Sequence, residues 1–109
     1  FDCAISFQTM HHFSHESKIS LYKKVSDSLR IGGIYIECDY MAETQEDEDF
    51  YYSENRRIRK EMNIPENDLY HFDIPCTVSN QIEMLKSSHF TSAEAVFRKG
   101  STTIIISRK

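Results

Sequence analysis

The sequence predicts an α/β fold, and three observations carry that prediction. Short apolar segments flank a stretch of helical periodicity; a Gly32-Gly33 pair separates that helix from the apolar segment after it; and the chain closes on two more apolar segments around a tight Lys99-Gly100 turn. The chain has 109 residues, 39% hydrophobic and 28% charged, a size and balance that suit one compact domain with one small core.

Phe1 to Phe7 reads as the first strand. Its apolar residues Phe1, Ala4, Ile5 and Phe7 alternate too loosely for a sheet wetted on one side, so both faces are expected to be covered. Ser14 is placed to cap a helix, with Glu16 in its first turn. Leu21, Val25 and Leu29 recur at i, i+4 and i+8, with Ile19 and Tyr22 widening the stripe, while Lys23, Lys24, Asp27 and Arg30 fall on the solvent side. The paired glycines end that helix by supplying a positive backbone dihedral, and Ile34 to Cys38 forms the next strand. Strand, helix and strand joined this closely make a βαβ unit with parallel strands and a right-handed crossover.

Acidic residues gather over Glu43 to Asp49, and Arg56, Arg57, Arg59 and Lys60 follow, a distribution that suits a helix dipole over Phe50 to Met62. Phe50, Glu54, Ile58 and Met62 would share its face, with Tyr51 and Tyr52 beside them, until Asn63-Ile64-Pro65 stops it. Thr77 caps a further helix that presents Val78, Ile82 and Leu85 and ends near His89. Ala93 to Phe97 and Thr102 to Ser107 form an antiparallel hairpin, and the unbroken Ile104-Ile105-Ile106 run is expected to be covered on both sides. No repeat or low-complexity linker interrupts the chain, so residues 1–109 are read as one domain in which 43–72 form a lid-like insertion.

Composition removes several classes of function. The formal net charge is −4 and no basic patch is interleaved with aromatics, so nucleic acid is not an expected partner. No apolar run approaches the ~20 residues of a membrane span, and no secretory signal is recognisable; a soluble cytoplasmic protein is expected. Cys3, Cys38 and Cys76 are odd in number, widely spaced and without a C-x-x-C pair, which argues for reduced thiols over a disulfide framework or a zinc knuckle.

The ordered set Phe1-Asp2, Met10-His11-His12, Leu29-Arg30-Ile31-Gly32-Gly33 and Asp39 resembles the C-terminal half of a class I S-adenosylmethionine-dependent methyltransferase, a Rossmann-like fold. Ile31 stands where proline is usual in that family. The resemblance covers essentially the whole chain and implies part of a doubly wound, mostly parallel sheet that ends in an antiparallel hairpin, whose last strand inserts beside the fifth strand of the family's sheet. In open α/β sheets ligands sit beyond the carboxyl ends of the strands, where strand order reverses. The resemblance puts Phe7, Gln8, Thr9 and Met10 at that crevice, bordering S-adenosylmethionine. It puts Asp39 and Tyr40, past the next strand, on the substrate side.

His11 and His12 admit two readings: proton transfer at the crevice, or packing under the loop with hydrogen bonds to backbone. Tyr51, Tyr52, Arg56 and His71 are candidates to close over a small-molecule acceptor, since methyl transfer depends on a water-poor, in-line approach. No metal centre is expected: sets built from His11 or His12 with His15 and Glu16 need a helix that Ser14 interrupts. The glycine-rich turn with which the family grips its cofactor is missing, the only glycines being Gly32, Gly33 and Gly100. The chain is therefore expected to be a fragment, inactive alone. Its first strand is expected to pair at a bare edge with a missing N-terminal half or a second copy. Two competing readings remain at this level: a non-catalytic module that completes or regulates another chain's sheet, and another nucleotide-binding α/β enzyme.

Overall fold

Each of the three α-helices among the described residues begins on a short hydroxyl side chain that accepts a backbone N–H from its first turn, a favoured way to start a helix. In the computed structural model, which describes residues 1–65, 68 and 73–109, Ser14 accepts from Ser17 N, Thr44 from Asp47 N and Thr77 from Asn80 N. These caps start α1 (His15–Ser28), α2 (Gln45–Glu61) and α3 (Val78–Lys86). The strands are β1 (Cys3–Phe7), β2 (Ile34–Tyr40), β3 (Ser92–Lys99) and β4 (Thr102–Arg108). α2 starts before Phe50 because Thr44 caps the acidic run, which becomes its first turn. His71 lies outside the described residues, as do its neighbours in the 43–72 insertion.

The four strands form one sheet in the order β1-β2-β4-β3. β1 and β2 are parallel, in register from Cys3 against Ile34 to Phe7 against Cys38. β4 runs antiparallel to both of its neighbours, so the last strand of the chain inserts between β2 and β3. Gly32 takes a φ of +84° at the turn into β2. Gly33 has no room for a side chain, because a Cβ there would lie 2.9 Å from the Arg30 carbonyl and 3.2 Å from that of Asp2.

One face of the sheet carries the core. Tyr35 and Glu37 of β2 and Ile105 of β4 are buried on it with Tyr22, Leu85, Met41 and Cys76, and Ala4 of β1 packs against this cluster. The other face of β1 is open among the described residues: Ile5 is 71% and Phe7 66% exposed. The expectation that β1 is covered on both faces is therefore corrected. Ile104 and Ile106 flank the buried Ile105 and are half-buried, so they too lack the full second covering predicted for them.

The helices bury the faces that their apolar spacing predicts only in part: Tyr22, Leu29 and Leu85 are buried as expected, but beside polar residues that the spacing does not mark. In α1 the buried residues are Lys18, Tyr22 and Ser26, while Ile19, Leu21 and Val25 lie at the flanks. The reason is a polar seam inside the core. Glu37 accepts from Tyr22 (2.7 Å), Tyr35 (2.9 Å) and Gln81 (2.6 Å), and Lys18 Nζ donates to Cys76 Sγ (3.1 Å) and to Gln81 Oε1 (3.3 Å). Buried polar groups persist when each finds a partner, and here β2, α1 and α3 satisfy one another. Burial still pushes the Glu37 carboxyl above its usual range despite those donors, and drives the Tyr22 phenol up as well. α2 likewise buries Glu48 and Asn55 and leaves Phe50 and Met62 exposed, because Glu48 reaches the N-terminus of α3, accepting from Thr77 N (2.7 Å) and from the Asn80 amide.

Candidate active site

β1 ends in a backbone reversal. Gln8 adopts a φ of +48°, and its N–H donates to Cys38 O at 2.8 Å, which extends the parallel ladder by one bond as the chain turns. A short 3-10 turn, Met10–His12, follows, closed by Phe13 N donating to Met10 O. This turn sets two histidines above the carboxyl ends of β1 and β2. Met10 goes into the core; Phe7, Gln8 and Thr9 stay exposed at the end of β1.

His11 is buried and held by Asp39 near the end of β2. Its backbone N–H donates to Asp39 Oδ2 at 2.9 Å, and its ring Nδ1 lies 2.5 Å from Asp39 Oδ1. Asp39 Oδ1 also accepts from Tyr40 N at 2.9 Å. An ionised carboxylate only accepts, so Nδ1 donates to Asp39, and in the neutral form of a ring held this way the lone pair is on Nε2. The Tyr40 ring packs on His11 at a centroid distance of 4.3 Å, and His12 packs on the other side at 4.1 Å.

Asp73 completes the group from far along the sequence. Ile74 N donates to His11 O at 2.8 Å, which ties the segment before α3 to the histidine turn. Asp73 Oδ1 then lies 3.6 Å from His11 Nε2 and 3.3 Å from His12 Nδ1. Burial, then the neighbouring Asp73 carboxylate, pushes the Tyr40 phenol well above its usual range. Nothing in the sequence spacing marks Asp73.

Of the remaining predicted residues, Tyr52 and Arg56 line two cavities, the first of which also takes in His12, while Tyr51 lines neither. A cavity of about 540 Å³ is lined by His12, Phe13, Tyr52, Arg56 and Arg59 among others. A second, of about 670 Å³, is lined by His15, Glu48, Tyr52, Arg56 and Asn80. Tyr52 and Arg56 therefore stand between the two cavities, and His12 joins them in the first. Asp39 and Tyr40 are the last residues of β2, inside the strand, and Asp39 faces His11 instead of open space.

A second polar group sits in the larger cavity's wall. His15 Nε2 lies 3.6 Å from Glu48 Oε2, and Cys76 Sγ, 3.8 Å from the Tyr52 hydroxyl, offers a third donor nearby. Burial lowers the His15 imidazole and raises the Cys76 thiol. For Glu48, burial opposes ionisation, but hydrogen bonds from Asn80, Gln45 and Thr77 N outweigh it and hold the carboxyl below its usual range.

The architecture has solved counterparts. The chain is similar over 99% of its length to the S-adenosylmethionine-dependent methyltransferase SibL in its apo form, with a TM-score of 0.71 at 13% identity. Human N-acetylserotonin methyltransferase in complex with SAM matches over 99% of the chain with a TM-score of 0.68 at 14% identity. A putative O-methyltransferase of Nostoc punctiforme matches over 100% at 0.68 and 15% identity. The chain spans only 30%, 29% and 31% of those three chains, so its α/β fold is part of the methyltransferase fold. No protein-family profile matches the sequence, and no curated protein matches it.

Proposed function

We propose that this chain forms part of an S-adenosylmethionine-dependent methyltransferase acting on a small-molecule acceptor, with His11 as proton acceptor. One observation supports the reading: His11 Nδ1 lies 2.5 Å from Asp39 Oδ1 above the carboxyl ends of two parallel strands, an arrangement in which the neutral ring would have its lone pair on Nε2.

The residues present fit one wall of a nucleoside site. Phe7, Gln8 and Thr9 are exposed at the end of β1, beside a backbone already turned by Gln8. Gly32, Gly33 and Gly100 offer no glycine-rich grip, so a copy of this chain cannot supply one and the reading assigns that grip to a different segment. When bound, S-adenosylmethionine supplies an electrophilic methyl group. The chain's own contribution is then to receive the acceptor's proton at Nε2, to stabilise the resulting imidazolium through Asp39, and to restrict water with Tyr52 and Arg56. His12 and Asp73 line the approach.

The test is calorimetric titration of S-adenosylmethionine into the 109-residue chain and into the product expressed with the coding sequence upstream of Phe1. Binding is expected only for the longer product, with methyl transfer lost in its His11→Ala variant while cofactor affinity is kept. Full transfer by that variant, or no cofactor binding by the longer product, overturns the reading.

A second reading, a non-catalytic module that completes another chain's sheet, draws on the exposed Ile5 and Phe7 of β1. Stable association with a separate chain, without cofactor binding by either product, would favour it.

A further inference from the structure

We propose that His11, His12 and Asp73 form a binding site for a divalent cation of the zinc class. The three donor atoms, one from each residue, all lie within 4.8 Å of one another. Zinc holds nitrogen and oxygen ligands at about 2.0–2.2 Å, so donors on a tetrahedron stand roughly 3.3–3.5 Å apart. His12 Nδ1 to Asp73 Oδ1 is 3.3 Å, and His11 Nε2 to the same oxygen is 3.6 Å. Two of the three spacings are thus those of tetrahedron corners, and the third, between the histidines, lies within the 4.8 Å that encloses the group.

The supporting shell points the same way. Ligating histidines commonly donate their other ring N–H to a carboxylate, which fixes the tautomer and raises ligand basicity. Asp39 does this for His11. Tyr40, the next residue, packs its ring on the same imidazole at a centroid distance of 4.3 Å, so consecutive residues of β2 hold His11 in place. With neutral imidazoles, Asp39 and Asp73 together balance a divalent charge. Two nitrogens and one oxygen select zinc and its first-row neighbours over magnesium or calcium, which take oxygen sets. Among the described residues His12 is 32% and Asp73 44% exposed at the side chain, which leaves an entry path, and three protein ligands leave a tetrahedral ion its fourth position.

The His15, Glu48 and Cys76 group is a weaker candidate. Both Glu48 oxygens are occupied by Asn80, Gln45 and Thr77 N, and the Lys18 ammonium already points at Cys76 Sγ. At the His11 group the inference rests on the methyltransferase reading only for what the ion would do, which is to take over from Nε2 and acidify an acceptor hydroxyl at the open position.

The test is addition of Co²⁺ to the metal-free 109-residue chain, followed by visible absorption, with Zn²⁺ as competitor. One equivalent of tetrahedral cobalt, displaced by zinc, is expected. Affinity should fall by more than tenfold in His12→Ala and in Asp73→Asn, both partly exposed and checked for fold by circular dichroism. Asp39→Asn should weaken it about tenfold to a hundredfold. Cys76→Ser should leave it unchanged. No cobalt spectrum, or one lost in Cys76→Ser and kept in Asp73→Asn, overturns the inference. Methyl transfer without metal binding defeats this inference alone; metal binding without methyl transfer leaves it standing and defeats the proposed function.

Discussion

Asp39 grips His11 at two points, the backbone amide through Oδ2 and ring Nδ1 through Oδ1. Asparagine can accept at only one of them and would set an NH₂ against a donor at the other. Asp39→Asn should therefore lower stability by about 1–3 kcal/mol, read by chemical denaturation. ¹⁵N spectra of the ring should show His11 losing its single Nδ1–H tautomer. An unchanged tautomer would mean that something other than Asp39 orients the imidazole.

The seam around Glu37 gives a second prediction. Glu37→Gln alone turns an amide NH₂ toward the Gln81 NH₂, and Gln81 cannot flip without facing the Lys18 ammonium. A loss of about 1–3 kcal/mol is expected. Adding Gln81→Glu restores a donor-to-acceptor match and gives Lys18 a charged partner. The double variant should be more stable than Glu37→Gln, a coupling that a thermodynamic cycle of denaturation midpoints measures.

Glu48 makes acid sensitivity testable. Its folded-state carboxyl sits below the usual 4.5 because hydrogen bonds from Asn80, Gln45 and Thr77 N overcome the effect of burial. The folded state therefore binds this proton less readily than the unfolded chain. The contribution is present above about pH 4.5 and is lost as pH falls through the lowered value. His15, also lowered, adds to the same trend from about pH 6.5 downward. The difference between wild type and Glu48→Gln, measured as stability against pH, should accordingly shrink between pH 5 and pH 3. A difference that grows on acidification would contradict the sign.

The two glycines at turns should respond unequally. Gly33→Ala places a methyl against two backbone carbonyls that cannot yield independently, and about 1–3 kcal/mol of destabilisation is expected. Gly100 has a φ of +61° but open space around it, so Gly100→Ala should cost about 1 kcal/mol from backbone conformation alone. Thermal melts of the two variants would rank them.

The sequence was legible where one residue decides the local outcome. Ser14 and Thr77 cap helices, Gly32 and Gly100 adopt the positive dihedrals that their turns need, and the closing hairpin pairs around its predicted turn. Helix faces were legible only in part: Tyr22, Leu29 and Leu85 are buried as their spacing implies, but Lys18, Glu48 and Gln81 are polar by composition and buried by partnership with residues distant in the chain. The site shows the same division. His11 and His12 announce themselves as a pair, and Asp39 by its place after an apolar run. Asp73 carries no such signal; the bond from Ile74 N to His11 O, between residues far apart in the chain, ties its segment to the histidine turn.

Glu37 and Asp39 are alternate residues of β2, so they project from the same side of the sheet. One clamps the helices and the other aims the imidazole. A slip of this strand by a single position would put Ile36 and Cys38 where those acids stand, losing the helix clamp and the histidine's guide in one stroke. No misaligned arrangement can thus keep the scaffold while forfeiting the chemistry, and correct assembly and competence arrive together.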